Sequence, residues 1–209
     1  MIGVVLAAAA MASVPVRAEN RGITGRKLVV VDKTEFSNRS AVKFLSVDAL
    51  VSKGFGTSTG DISATVDITI EAPQHPVIAG AFDIPAGYST TAGWRVNSSS
   101  IAKFANPGAP GGPTQVRFMT IQQSRLIKLS AKGLGDLPIN LDDLRFGPYH
   151  VQMRLTLTNG AESITHCTLF TSDNCLVPPV GSGTGRKLQC SLGAAVPACA
   201  FPPPPGGGG

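Results

Sequence analysis

The chain is poor in charge, in aromatic rings and in histidine, and it has no cysteine before position 167. Charged residues make up 15% of it and hydrophobic residues 43%, a globular composition rather than a disordered one. Lys and Arg are scattered with no run, so the sequence supports no nucleic-acid patch, and no nucleic acid is expected as a partner. The N-terminal apolar run Ile2–Ala12 is too short to span a bilayer and no later run is long enough, so no transmembrane segment is expected in the mature chain. The four cysteines are spaced without a close C-x-x-C knuckle. The three histidines (His75, His150 and His166) form no convincing ligand pair, so no metal and no cofactor is expected. With one Trp and two Tyr, little is left for stacking on sugars. Trp94 and Tyr149 are the binding candidates, with Tyr88 beside them, against the reading that such rings belong to a core.

What is present points to strands. Gly and Pro are plentiful, at 24 and 16 residues, which suits short strands joined by turns. Tyr149–Thr158 alternates strictly: Tyr149, Val151, Met153, Leu155 and Leu157 fall on one side and His150, Gln152, Arg154, Thr156 and Thr158 on the other. Asn159-Gly160 then precedes a second apolar arm ending at Phe170, the strongest short signal for a hairpin with a type I′ turn. On a two-residue turn at Asn159-Gly160, His166 pairs with Met153 and His150 with Leu169, which sets the histidines on opposite faces. Ile62–Ile70 alternates as cleanly, and Lys27–Val31 with Ala41–Val47, and Thr114–Ile121 with Arg125–Gly133, read as further hairpins. A short helical turn fits Leu141–Leu144. About ten short strands without strand–helix alternation predict an all-β fold, an antiparallel β-sandwich with a barrel as the runner-up. One domain is expected over 19–200, with 201–209 as a disordered Pro/Gly tail.

Residues 1–18 read as a signal peptide, with Val16-Arg17-Ala18 as the cleavage site, although no Lys or Arg precedes the apolar run. Cleavage after Ala18 removes Arg17 and no acidic residue, taking the formal charge from +5 to +4. Export into an oxidising compartment makes Cys167, Cys175, Cys190 and Cys199 disulfide candidates. A nested pairing, Cys167–Cys199 around Cys175–Cys190, folds about the run Gly181–Gly185 and staples a C-terminal reversal. The side-by-side pairing, 167–175 with 190–199, stays open.

Catalytic signatures are thin. Gly56-Thr57-Ser58-Thr59-Gly60 matches G-x-S-x-G, but no buried strand precedes it and no helix follows, as a nucleophile elbow requires. Asp61, Asp67, Asp142 and Asp143 are the carboxylates that hydrolysis would draw on, and nothing in their spacing places two in one cleft. Asn38-Arg39-Ser40 and Asn97-Ser98-Ser99 match glycosylation sequons. No catalytic residue is assigned.

The order Gly25-Arg26-Lys27-Leu28, Ser46-Val47-Asp48, Gly93-Trp94, Pro110-Gly111-Gly112-Pro113, Ala131-Lys132-Gly133-Leu134-Gly135, Leu157-Thr158-Asn159-Gly160 before Cys167 and Phe170, and Pro197-Ala198-Cys199 resembles a group of secreted bacterial β-rich proteins of unknown function. The resemblance covers most of the mature chain and implies a Cys167–Cys199 bridge, with Cys175 and Cys190 as an added pair. It departs at Thr171-Ser172, where the group carries Gly-Gly. It implies no activity. The expectation is a secreted or periplasmic, non-enzymatic binding or structural module, with envelope polymers, glycans or another protein as its partners. A secreted hydrolase with an unrecognised carboxylate or serine site is the alternative.

Overall fold

The structure, a computed structural model, describes residues 17–32, 40–54, 62–72, 77–87, 92–98, 100–108, 116–132, 141, 148–160, 162–176 and 186–202. Its strands are β1 (Arg17–Gly22), β2 (Gly25–Asp32), β3 (Ala41–Val47), β4 (Ile62–Glu71), β5 (Ile78–Ile84), β6 (Gly93–Ser98), β7 (Ile101–Ala105), β8 (Val116–Gln122), β9 (Leu126–Lys132), β10 (His150–Asn159), β11 (Glu162–Thr171), β12 (Cys175–Leu176) and β13 (Arg186–Ala195). The fold is all-β, an antiparallel sheet curled into a half-barrel. Hydrogen-bonded neighbours run β5-β4-β10-β11-β13-β2-β3-β9-β8-β7-β6, with β12 beside β13 and β1 parallel to β11.

Alternation decides which face each strand buries. In β4, Ile62, Ala64, Val66, Ile68 and Ile70 are buried and the residues between them are half-exposed. Val151, Met153, Leu155 and Leu157 of β10 are buried in step with them through register pairs such as Val151 with Ile70. These side chains share one core with Leu28 and Val30 of β2, Val42 and Phe44 of β3, Met119 and Ile121 of β8, and Ile127 and Leu129 of β9. Trp94 closes that core. It is fully buried and its ring lies 5.5 Å from that of Phe104. Its indole N–H donates to the Pro85 carbonyl at 3.1 Å and its backbone N–H to the Gly87 carbonyl at 3.0 Å, so it ties β6 to the segment leaving β5.

The sheet turns its corner at β11. Residues Glu162–Cys167 pair with β1, and at Thr168 and Leu169 the same strand passes to β13. The corner is tight because Gly25 and Gly193 pair with one another beneath the Phe170 ring. A Cβ on Gly193 would sit 2.6 Å from Phe170 Cε1, and one on Gly25 would also press into that ring. Phe170 is fully buried, so its ring cannot yield by swinging into solvent. Gly193→Ala is therefore expected to lower the unfolding free energy by about 1–3 kcal/mol through overpacking. Urea denaturation reads this as a lower midpoint, and an unchanged midpoint would show that the corner is loosely packed.

The two disulfides are Cys167–Cys199 and Cys175–Cys190, one nested inside the other. Cys175 and Cys190 are direct cross-strand partners of β12 and β13. Cys167–Cys199 lies on the outer side of β11, where Cys167, Leu169 and Val196 form a small second cluster with Cys199 and Phe201. There the segment 196–201 lies over β11 and β1. The Val196 backbone packs on Gly22, the Asn20 side-chain amide donates to the Ala198 carbonyl at 3.4 Å, and the Arg154 guanidinium stands 4.8 Å from the Phe201 ring centre.

Three sequence expectations are corrected here. The hairpin register differs: the ladder closes at Asn159 with Glu162, and His166 pairs with Leu155 and His150 with Thr171. The shift is an even number of residues, so the two histidines still occupy opposite faces. Phe201 is packed, its ring finding both an apolar cluster and a cation, while 203–209 of the expected tail lie outside the described residues. A further strand, β13, runs through the cystine segment, with Leu188 and Cys190 in the core. The helical turn at Leu141–Leu144 and the Gly181–Gly185 reversal lie outside the described residues, apart from Leu141 itself, which is buried.

Candidate functional site

Among the described residues, those singled out from the sequence do not form a site. Trp94 is 0% exposed and Tyr149 8% exposed, so neither presents a ring face for a ligand, and burial raises the Tyr149 pKa. Both correct the binding assignment: each ring fills the core. Tyr88, His75, Ser58, Asp61, Asp142 and Asp143 lie outside the described residues. Asp67 stands on the outer face of β4 opposite Arg154. Burial raises its pKa, the Arg154 charge lowers it, and Asp83 adds to the rise. Among the described residues no three His, Cys, Asp or Glu side chains gather as a metal group would require.

Ser52, His166 and Asp48 do come together, but as a clamp. The Ser52 backbone N–H donates to His166 Nε2 at 3.0 Å, so the nitrogen that would deprotonate a serine is already occupied. The Ser52 hydroxyl accepts from the Gly54 N–H at 3.2 Å instead. Burial works to raise the Asp48 pKa, yet hydrogen bonds from the Leu50 N–H, the Thr24 N–H and the Thr24 hydroxyl hold it below its ordinary value. The group pins loop 48–54 against β11. Lys53 in that loop is fully buried, its ammonium 3.3 Å from the Ser98 carbonyl, and burial lowers its pKa.

The chemistry that does converge lies on the outer face of β13-β2-β3-β9-β8. Alternation sends Leu28, Val30, Val42, Phe44, Ile127 and Leu129 inward, so the residues between them must face out. Register then sets them in rows. One row is Lys187, Val31, Ala41 and Lys132. The next is Gln189, Val29, Lys43, Ser130 and Phe118. The third is Ser191, Lys27, Leu45, Lys128 and Thr120. Arg117 joins them at a bulge between Val116 and Phe118. Diagonal neighbours on such a sheet stand roughly 7–8 Å apart, so Lys43 lies within reach of Lys27, Lys128 and Lys132 together.

These rows line a groove of about 820 Å³. Among the described residues its lining holds six cations and no Asp or Glu. All six (Lys27, Lys43, Arg117, Lys128, Lys132 and Lys187) are exposed. The floor between them is apolar: Val29, Val31, Ala41, Leu45 and Phe118. Lys128 lies 5.5 Å over the Phe118 ring, which fixes one ammonium at the edge of that floor. The outer face of β5-β4-β10 is mixed in sign, carrying Asp67 and Glu71 on β4 and Asp83 on β5 beside Arg154 on β10.

Sequence reasoning missed these six residues because no two of them are adjacent in the chain. The usable signal was a lysine in the outward phase of successive alternating strands: Lys27 before Val29 and Val31, Lys43 between Ala41 and Leu45, and Lys128 and Lys132 around Ser130. No protein-family model matches the chain, and neither a curated protein nor a solved structure does.

Proposed function

We propose that this protein is an exported, non-enzymatic binding module of the cell envelope or extracellular space, and that it holds anionic ligands on the outer face of β13-β2-β3-β9-β8. The observation that carries the reading is the groove itself: among the described residues, six cations and no carboxylate stand around an apolar floor. Six like charges on one face repel one another, so an anionic partner relieves a cost already present in the free protein. Two disulfides support an oxidising compartment, and among the described residues no helix is long and apolar enough to cross a membrane. The N-terminal apolar run supports a signal ending at Ala18. Cleavage there would leave Glu19–Gly22 of β1 paired with β11. We read the two wings, which face each other over one core, as the sheets of an antiparallel sandwich joined at the β11–β13 corner.

The test is co-sedimentation with purified cell envelopes at low and high salt, comparing the natural protein with a Lys43→Glu, Lys128→Glu variant. A lysine beside an anionic surface is worth about 1 kcal/mol, or roughly fivefold in affinity. Reversing two should weaken binding at least tenfold, and raising salt should weaken the natural protein in the same direction. Arg154→Glu, on the other wing, is the control and should bind as the natural protein does. Equal sedimentation of the double variant and the natural protein would overturn the assignment of this face.

A further inference from the structure

Charge accounts for the rim of this groove but not for its floor. Gln189 and Ser130 are the neutral polar side chains in its lining, while Val29, Val31, Ala41 and Leu45 form an apolar strip on β2 and β3 between the cations, and Phe118 stands apart on β8 beyond Ser130. The strip follows from the register: Val31 and Ala41 are paired between Lys187 and Lys132, and Val29 and Leu45 stand diagonally across β2 and β3. A fully polar polyanion laid on this strip would cover apolar surface with groups that find no hydrogen-bond partner there, a penalty that offsets its charge pairing. A molecule with an anionic head and an apolar tail satisfies both parts at once. The groove's volume, about 820 Å³, falls in the range of pockets that hold one small ligand.

We infer that the ligand of this groove is a single anionic amphiphile, an alkyl chain carrying a phosphate-type head. The head sits among Lys43, Lys128 and Lys27, and the chain lies along Val29, Val31 and Leu45. This rests on the reading of the face as an anion-binding surface and adds the tail to it. The aliphatic stems of the lysines flank the strip and close over the chain, as such stems do on apolar surfaces.

The experiment is titration calorimetry of the full chain with dodecyl phosphate below its micelle concentration. Inorganic phosphate, dodecyl maltoside and polyphosphate are run beside it. The expected result is one dodecyl phosphate per protein, bound at least tenfold more tightly than either inorganic phosphate or the uncharged maltoside. Leu45→Ser is expected to weaken dodecyl phosphate at least tenfold more than it weakens polyphosphate. Val31→Thr, which keeps the branched shape, repeats the comparison should Leu45→Ser fold poorly. Lys43→Glu is expected to weaken both ligands. Polyphosphate binding with dodecyl phosphate no better than inorganic phosphate would overturn the amphiphile and leave the cationic face standing. Dodecyl phosphate binding that ignores Lys43→Glu would place the chain elsewhere and overturn the inference. Silence from every anion would overturn both readings.

Discussion

Replacing Cys167 and Cys199 together with alanine is expected to lower the unfolding free energy by roughly 3–4 kcal/mol. The bridge closes a separation of 32 residues, and freeing a loop of that length restores entropy to the unfolded chain on that scale. Against a typical domain stability of about 5–15 kcal/mol this is a large fraction. The effect is also local. Cys167 anchors the cluster that holds Val196 over Gly22, so losing the bridge loosens segment 196–201 and uncovers β1. Urea unfolding should show a lower midpoint, and limited proteolysis should cut within 196–201 before the main sheet opens. The Cys175→Ala, Cys190→Ala variant closes only 15 residues and should cost about 3 kcal/mol, without early cleavage at 196–201. If the Cys167→Ala, Cys199→Ala variant keeps both its midpoint and its protease resistance, the clasp is held by packing alone and the prediction fails.

Acid is expected to destabilise the protein through His166 well before carboxylates titrate. His166 is 1% exposed, and its pKa is pushed down to about 4. Burial is the main cause and the Arg21 charge adds to it, while Glu19 and Asp48 oppose it. An unfolded histidine titrates near 6.5. The folded state therefore holds the neutral ring while the unfolded chain takes up a proton. The stabilisation is complete above the unfolded value and is lost as pH falls toward the folded one. Between pH 8 and pH 5 the loss from this one group is about 2 kcal/mol, approaching roughly 3 kcal/mol below pH 4. Asp48 acts in a different window: its lowered pKa stabilises the fold above the carboxylate range and fades only in stronger acid. Urea midpoints taken at pH 8 and pH 5 decide the matter. His166→Gln should be less stable at pH 8, since the imidazole that accepts from Ser52 is gone, and flatter across the interval. A natural protein as stable at pH 5 as at pH 8 would sink the argument.

Much of the fold was readable from local pattern. The inward set of β10 and the whole of β4 follow from alternation alone, because a strand's two faces are fixed by its own residues. The hairpin turn was placed one residue early because Asn159-Gly160 is a strong local signal. Pairing Asn159 with Glu162 keeps the same faces and extends the ladder by one more rung. Trp94 and Tyr149 were singled out because such rings stack on sugars. Residue type says nothing about burial, and both rings fill space between strands that meet only in the folded state.

The sequence by itself determined that this is a β protein, which residues of each strand share a side, and that four cysteines gather where two bridges can form. The tertiary structure alone decided which strands are neighbours. β13 near the C-terminus pairs with β2 near the N-terminus, which sets Lys187 beside Val31, and the pairings of β2 with β3 and of β3 with β9 bring Lys27, Lys43 and Lys128 onto one face. Alternation is a property of one segment, whereas strand order depends on closing long loops between segments that carry no mark of each other. A surface built from one or two residues per strand therefore exists only after the sheet has formed.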